Sequence, residues 1–293
     1  MKKSHSKSKY LSDYTDYLEL RNYSPRTIES YTQALSCFFK YVSSLNNNDQ
    51  DFIELSKSYL LVLKRKKRSW STINLNYSSL KLFCEAILNK DWDMETLKRP
   101  RAEKRMTRIL SMQEVRSIIQ ATSSLKHRAI LYLFYATGIR ISELTNLRIE
   151  DIDSDRHELF VRKGKGNKDR VIDLPSCVLP ILRKYYKQYK PKQYLFEGMS
   201  KTQLQYSHSS IHKIIKRSKT KAKIRKKISA HTLRHSYATH HLENGTDLVY
   251  IKEQLGHKDL STTEKYLHLC GSRRRQIHHP IESLQIDLLE STL

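Results

Sequence analysis

Reactive side chains are concentrated toward the C-terminal end of the 293-residue chain. His231, Arg234 and His235 lie at the start of a predicted helix, and a second group, in residues 255–266, ends at Tyr266. Two histidines four residues apart on a helix have a spacing suited to zinc. However, no Glu follows the first histidine, and a guanidinium beside a divalent cation would be repelled. An Arg with a His three residues before it suits an oxyanion or a phosphate better, so we predict no metal site.

The charge balance favours an anionic polymer as partner. The chain has 54 Lys and Arg against 30 Asp and Glu, a net charge of +24, which indicates nucleic acid first and an acidic membrane surface second. No apolar run approaches the roughly 18 residues of a membrane span, and the basic residues 1–9 lack the apolar core of a secretory signal. The four Cys form no C-x-x-C pair, which excludes a disulfide scaffold and a zinc ribbon. We therefore expect a soluble, cytoplasmic protein associated with the nucleoid.

Basic residues cluster in three segments, at 64–68, 98–108 and 216–227, and the last contains no acidic residue. Such a block can be a solvated loop, or it can be a surface that neutralises phosphates. On the second interpretation the candidate DNA contacts are Lys64, Arg65, Lys67, Arg68, Arg99, Arg101, Lys216, Arg217, Lys219 and Lys221.

The first third of the chain predicts a four-helix unit. Ser24 followed by Pro25 is a strong helix start. Apolar residues then recur at helical spacing within residues 10–20, 28–42, 52–63 and 73–87.

The apolar periodicity lapses between residues 89 and 107, where the chain is basic and contains proline. We expect a helical domain over 1–97, a linker over 98–106 and a second domain over 107–293. Ser111 and Glu114 form a capping box that starts the second domain.

The second domain is predicted to be mainly helical with one small antiparallel sheet. Residues 125–137 form a helix that Gly138 is placed to end. Residues 157–162 and 170–174 are strand-like and are joined by a Gly-containing hairpin. Further helices are expected from residues 176, 209, 229, 247 and 261. The predicted fold class is therefore mainly α, of the α+β type.

Four segments of this second domain resemble the active-site motifs of the tyrosine recombinases, the phage-integrase and Xer family. Residues 136–144 (ATGIRISEL) resemble the first box and residues 231–240 (HTLRHSYATH) the second. Residues 255–266 resemble the third box, which ends on the nucleophile, and residues 164–168 match the catalytic-lysine turn. The motifs occur in the order of the family, and the helical first third resembles its core-binding domain.

The resemblance implies a role for each matching residue in phosphoryl transfer. Arg140 and Arg234 would each offer a bidentate fork to the non-bridging oxygens of a phosphodiester, where negative charge builds up. Tyr266 would be the nucleophile, forming a 3′-phosphotyrosyl bond that conserves bond energy for religation.

The remaining roles implied by the resemblance concern proton transfer and support. Lys165 would protonate the 5′ leaving oxygen, His231 would assist proton transfer at the nucleophile, and His257 would hydrogen-bond the phosphate. Glu143 would support Arg140. His235, His240 and His241 are expected to be packing or surface residues. No cofactor or metal is implied.

The family resemblance implies a site-specific recombinase that clamps double-stranded DNA between two domains and exchanges strands through a Holliday junction. A type IB topoisomerase-like enzyme, which cuts and reseals one strand without exchange, is the alternative. A DNA-binding regulator that has lost catalysis is disfavoured because the six matching catalytic residues are intact.

The charge of the chain changes from basic to acidic at its C-terminal end. No basic residue follows Arg275, and residues 281–290 are acidic and amphipathic. Because family members often pack a C-terminal helix onto a neighbouring subunit, we expect a tail helix that links active sites around a homotetramer.

Overall fold

The computed structural model describes residues 5–45, 51–92, 97–101, 108–162, 169–198 and 204–267. The chain divides into two compact units, Met1–Arg105 and Met106–Leu293. The limits of the linker that we expect at 98–106 stay a prediction. Within the described residues, no helix is both long and apolar enough to cross a membrane.

The first unit consists of four helices in its described part, as predicted. They are α1 (His5–Leu20), α2 (Pro25–Ser43), α3 (Phe52–Arg65) and α4 (Trp70–Ala86). The side chains of Ser24, Asp51 and Ser69 each accept a hydrogen bond from a backbone N–H in the first turn of the helix that follows, which satisfies donors that a helix start leaves unpaired.

Aromatic residues fill the core of the first unit. The ring of Phe83 on α4 meets Tyr14 of α1 and Phe39 of α2 edge to face, at centroid distances of 5.5 and 5.8 Å. The buried hydroxyl of Tyr14 donates to the carbonyl oxygen of Ser79 at 3.0 Å. Edge-to-face contacts add to the burial of apolar area, so these rings hold α1, α2 and α4 together.

The second unit is mainly helical, as the sequence indicates. Its described helices are α5 (Met112–Gln120), α6 (Leu125–Thr137), α7 (Ile141–Asn146), α8 (Leu179–Tyr189), α9 (His208–Lys221), α10 (Ala230–Glu243), α11 (Leu248–Leu255) and α12 (Ser261–Glu264). The predicted capping box of Ser111 and Glu114 is formed at the start of α5. The helix expected from residue 176 opens instead with a 3-10 turn before α8.

A three-stranded antiparallel sheet lies beside these helices. Its strands are β1 (Ile152–Asp153), β2 (Glu158–Val161) and β3 (Arg170–Asp173), in the order β1-β2-β3. Leu159 pairs with Ile172, and both are buried. The two predicted strands are confirmed, whereas β1 is too short to leave a pattern in the sequence.

Gly138 ends α6 with a left-handed backbone (φ 59°), as predicted, and the chain then turns into α7. A Cβ at this position would lie 2.4 Å from the ring of Tyr237. Glycine is therefore required both by the backbone angle and by the close approach of α10.

The start of the second unit is tied to the middle of α10. The backbone N–H of Leu110 donates to Ser236 Oγ at 2.8 Å, and His240 Nε2 donates to the Leu110 carbonyl at 2.8 Å. Because Nε2 of His240 carries the proton, its Nδ1 accepts from the Tyr135 hydroxyl at 2.6 Å. These bonds connect the entering chain to α6 and α10.

Candidate active site

Arg234 is a buried cation held by the ends of two helices. Its Nη1 donates to the carbonyl of Gly138 at 2.7 Å, and its Nη2 donates to the carbonyl of Leu255 at 2.7 Å. These carbonyls lie at the C-terminal ends of α6 and α11, where unpaired oxygens and the helix dipole favour positive charge. Burial, followed by the charge of Arg140, lowers the pKa of Arg234 to about 10. The side chain therefore stays charged at neutral pH.

His257 lies directly against Arg234. Arg234 Nη2 donates to His257 Nε2 at 3.1 Å, so that nitrogen carries no proton. The opposite nitrogen, Nδ1, then donates to Thr263 Oγ1 at 2.8 Å. Burial, followed by the charge of Arg234, lowers the pKa of His257 to about 3. The ring is neutral and fixed in one tautomer.

Glu143 is a buried carboxylate shared by two arginines. It accepts from the backbone N–H of Arg140 at 2.8 Å and from Arg140 Nη1 at 2.7 Å. Arg170 donates to both carboxylate oxygens at 2.9 Å. Burial raises the pKa of this carboxyl, but the hydrogen bonds and charge of Arg170, and then those of Arg140, outweigh burial and lower the pKa to about 2. Glu143 therefore remains ionised.

The end of α11 brings Arg140 beside Arg234. Arg140 Nη2 donates to the carbonyl of Gly256 at 2.8 Å, and Arg234 holds the carbonyl one residue earlier, at Leu255. Gly256 has φ 61°, and a Cβ there would lie 2.9 Å from the guanidinium of Arg170. This glycine thus permits both the helix end and the packing of Arg170.

Tyr266 is buried next to this arginine pair. Only 1% of the residue is exposed, and its ring stacks on that of His257 at a centroid distance of 6.2 Å. Burial raises the pKa of the phenol, and the charges of Arg234 and Arg140 oppose that effect. Tyr266 is therefore protonated in the structure, close to two cations that would stabilise its anion.

His235, which we expected to be a packing or surface residue, instead contacts the candidate nucleophile. Its Nδ1 lies 2.9 Å from the Tyr266 hydroxyl. His231 lies one turn earlier on α10, exposed, with its ring centroid 6.3 Å from that of His235. Partial burial, followed by Arg234, lowers the pKa of His231.

The structure brings together five of the six residues that the family motifs single out as catalytic, and Glu143 with them. These are Arg140, His231, Arg234, His257 and Tyr266. Lys165 lies outside the described residues. Among the described residues, no group of three or more His, Cys, Asp or Glu side chains could hold a metal ion.

The candidate DNA contacts lie on both units. Those at the end of α3 and just after it, Lys64, Arg65, Lys67 and Arg68, are exposed. Arg99 donates to Asn74 Oδ1 at 2.9 Å and to Ser78 Oγ at 3.1 Å on α4, and Arg101 is exposed. On α9, Lys216, Arg217 and Lys221 are exposed and Lys219 is half-buried.

Sequence reasoning missed Arg170 and Thr263 as parts of this site. The signal for Arg170 is its place at the start of β3, two residues after the segment 164–168 that matches the catalytic-lysine turn in sequence. Its partner Glu143 is 27 residues away, so the pairing becomes visible only in the fold.

We predict that Glu143→Gln lowers the free energy of unfolding at pH 7 by about 3 kcal/mol, because it leaves two arginines without their carboxylate. The lowered pKa of Glu143 adds stability at pH values above its unfolded-state pKa, which is lost as the pH falls toward 2. Urea unfolding between pH 7 and pH 2.5 should therefore show a steeper loss in the wild type than in Glu143→Gln. The exposed Glu253→Gln is the control, and equal slopes in all three proteins would contradict the ionised state of Glu143.

Both units of the chain are similar to known proteins. Residues 108–273 match the phage integrase family, and residues 10–94 match the phage integrase N-terminal SAM-like domain. The tyrosine recombinase XerA of Pyrococcus horikoshii is 35% identical over 271 residues, covering 92% of each chain.

Two solved structures share the fold. The XerH site-specific recombinase bound to its palindromic difH substrate has a TM-score of 0.70 at 22% identity, covering 92% of this chain and 87% of that one. A lambda integrase tetramer bound to a Holliday junction has a TM-score of 0.72 at 19% identity, covering 88% and 76%. The chain belongs to the phage integrase family and is a tyrosine-type site-specific recombinase.

Proposed function

We propose that the protein cuts and rejoins double-stranded DNA through a covalent bond between Tyr266 and a 3′ phosphate. The observation that carries this proposal is the arrangement of Arg140 and Arg234 on the consecutive carbonyls of Gly256 and Leu255, where α11 ends, next to the buried phenol. Two cations held side by side make a site for the two non-bridging oxygens of one phosphodiester.

Both arginines keep donors for such a ligand. A guanidinium has five N–H donors. Arg140 donates to Glu143 and to the carbonyl of Gly256. Arg234 donates to the carbonyls of Gly138 and Leu255 and to His257. The donors that remain would bind phosphate oxygens more strongly as negative charge builds up on them in the transition state.

The other groups are assigned to proton transfer and positioning. Lys165 protonates the 5′ oxygen as it leaves, and His231 assists proton transfer near the nucleophile. His257 accepts from Arg234 through Nε2. To hydrogen-bond a phosphate when DNA is bound, Nε2 would give up this contact and carry a proton. Glu143 holds Arg140 in place.

The freed 5′ hydroxyl then attacks a phosphotyrosyl bond on a partner duplex, which exchanges strands and gives a Holliday junction. The names of the similar proteins, which are recombinases, favour this outcome over strand cutting and resealing by a type IB topoisomerase-like enzyme. We propose a cytoplasmic, nucleoid-associated location, where such DNA is found.

We predict that the wild type forms a covalent protein–DNA band with a nicked suicide duplex selected by the protein from a randomised pool, and that Tyr266→Phe forms none. The phenol oxygen is the atom that bonds to phosphorus, so its removal abolishes the step. Tyr186→Phe on α8, an exposed tyrosine, should form the band as the wild type does. A band from Tyr266→Phe would mean another nucleophile. Relaxation of any supercoiled plasmid without sequence-dependent exchange would support the topoisomerase alternative.

The basic residues of both units would bind the DNA backbone without reading its sequence. We predict that Lys216→Ala with Lys219→Ala on α9 lowers the slope of log binding constant against log salt by about 1 to 2, since each neutralised phosphate contributes about 0.9. The matched pair Lys184→Ala with Lys187→Ala on α8 has the same spacing and should leave the slope unchanged. Equal slopes for both pairs, measured by fluorescence anisotropy, would exclude the α9 lysines as contacts.

A homotetramer on DNA is the assembly we propose, by analogy with the lambda integrase tetramer on a Holliday junction. The acidic, amphipathic residues 281–290, which lie outside the described residues, would link neighbouring subunits. We predict that deletion of residues 280–293 abolishes the cooperative pairing of two sites in native gels but retains cleavage of one site. Deletion of residues 291–293 alone is the control. Unchanged pairing after the longer deletion would remove the tail from the assembly.

A further inference from the structure

The hydroxyl of Tyr266 is hydrogen-bonded to a histidine to which the sequence motifs assign no role. His235 Nδ1 lies 2.9 Å from the phenol oxygen, and the two ring centroids are 5.4 Å apart. His235 follows Arg234 directly on α10. The two side chains diverge, so that Arg234 reaches the helix ends while His235 reaches Tyr266.

The charge states of both partners suit a hydrogen bond from the Tyr266 hydroxyl to His235. Burial, followed by the charges of Lys265, His231 and Arg234, lowers the pKa of His235 to about 4. The imidazole is therefore neutral at pH 7, and one of its ring nitrogens is an acceptor. The phenol keeps its proton, so the contact fits Tyr266 as donor and His235 Nδ1 as acceptor, in the tautomer that carries its proton on Nε2.

We propose that His235 is a catalytic residue that takes the proton of the Tyr266 hydroxyl as this oxygen attacks the scissile phosphate. The inference rests on the proposed function above. In cleavage the phenol O–H bond breaks and the proton moves to Nδ1, while the phenol oxygen bonds to phosphorus. The bond from phosphorus to the 5′ oxygen breaks, and its electron pair stays on that oxygen, which takes a proton from Lys165. Religation runs through the same atoms in reverse, and His235 returns the proton to Tyr266.

Substrate binding would make His235 a stronger base. The groups that face it are the cations Lys265 and Arg234, the neighbouring His231 and the phenol itself. A phosphodiester on Arg140 and Arg234 adds negative charge beside these cations and so offsets their effect on the imidazole. The phenol is thus activated when a phosphate is in place and stays protonated in the free protein.

His231, to which the family resemblance assigns proton transfer at the nucleophile, is the competing acceptor. Its ring is one turn away from His235 on the exposed side of α10, whereas the short contact to the phenol is made by His235. A general base must first lie within hydrogen-bonding distance of the proton that it removes, and its pKa is considered after that. The observed contact therefore favours His235.

The test uses His235→Asn, in which Oδ1 can still accept a hydrogen bond from the phenol but takes no proton near neutral pH. The rate of covalent complex formation is measured from pH 4 to pH 9 in single turnovers, on the nicked duplex selected above. A second duplex has sulfur in place of the 5′ bridging oxygen. Sulfur leaves without protonation and so removes the need for Lys165 only.

We expect His235→Asn to be about 100-fold slower than the wild type on both duplexes, the lower range for loss of a general base. In the wild type, protonation of His235 should lower the rate as the pH falls, and His235→Asn should not show this decrease. Lys165→Ala should be restored by sulfur, and His235→Asn should not. His241→Asn, on the same helix, is the matched control, and His235→Gln is the second variant if His235→Asn has a lowered thermal unfolding midpoint.

Three results would overturn the inference while leaving Tyr266 as nucleophile. The first is that His235→Asn reacts at the wild-type rate, and the second is that the sulfur duplex restores the rate of His235→Asn. The third is that the decrease in rate toward acid pH disappears in His231→Asn and persists in His235→Asn. Failure of the proposed function looks different, because then the wild type forms no covalent band on any duplex or Tyr266→Phe still forms one.

Discussion

The site depends on holding the guanidinium groups of Arg140 and Arg234 side by side. Like charges at short range repel, so Arg140 and Arg234 stay together only because the protein supplies opposite charge. The C-terminal end of α11 provides two successive carbonyls, at Leu255 and Gly256, and Glu143 provides a full negative charge. Residues 255 and 256 thus position both arginines, and His257 makes a further contact with Arg234.

The arginines of the site outnumber the carboxylate that they surround. Arg140, Arg170 and Arg234 face the one carboxylate of Glu143, so the site retains positive charge that a phosphodiester can balance. Burial, and after it the nearby positive charge, lowers the pKa values of His235 and His257, and the charges of Arg234 and Arg140 oppose the burial that raises the pKa of the Tyr266 phenol. Binding of an anion therefore changes the electrostatics of every proton-carrying group in the site at once.

The sequence predicts the features that depend on local chemistry. The sequence signals for these features lie within a few residues of one another. Examples are the helix starts at Ser24 and Ser111, the left-handed helix end at Gly138 and the motif arginines. The roles of Arg170 and His235 are not readable in this way. The partner of Arg170 lies far along the chain, and two histidines four residues apart on α10 share a helix face, so spacing alone cannot tell which one reaches Tyr266. The short elements α7 and β1 leave no periodic pattern.

The bonds from Leu110 to Ser236 and His240 have a mechanical consequence. Leu110 lies just ahead of α5, so tension along the chain that enters this unit is borne by the middle of α10 rather than by a surface loop. The same helix carries Arg234 and His235. A pull on the entering chain would therefore act on the helix that also carries Arg234, bonded to Gly138 and Leu255, and His235, in contact with Tyr266.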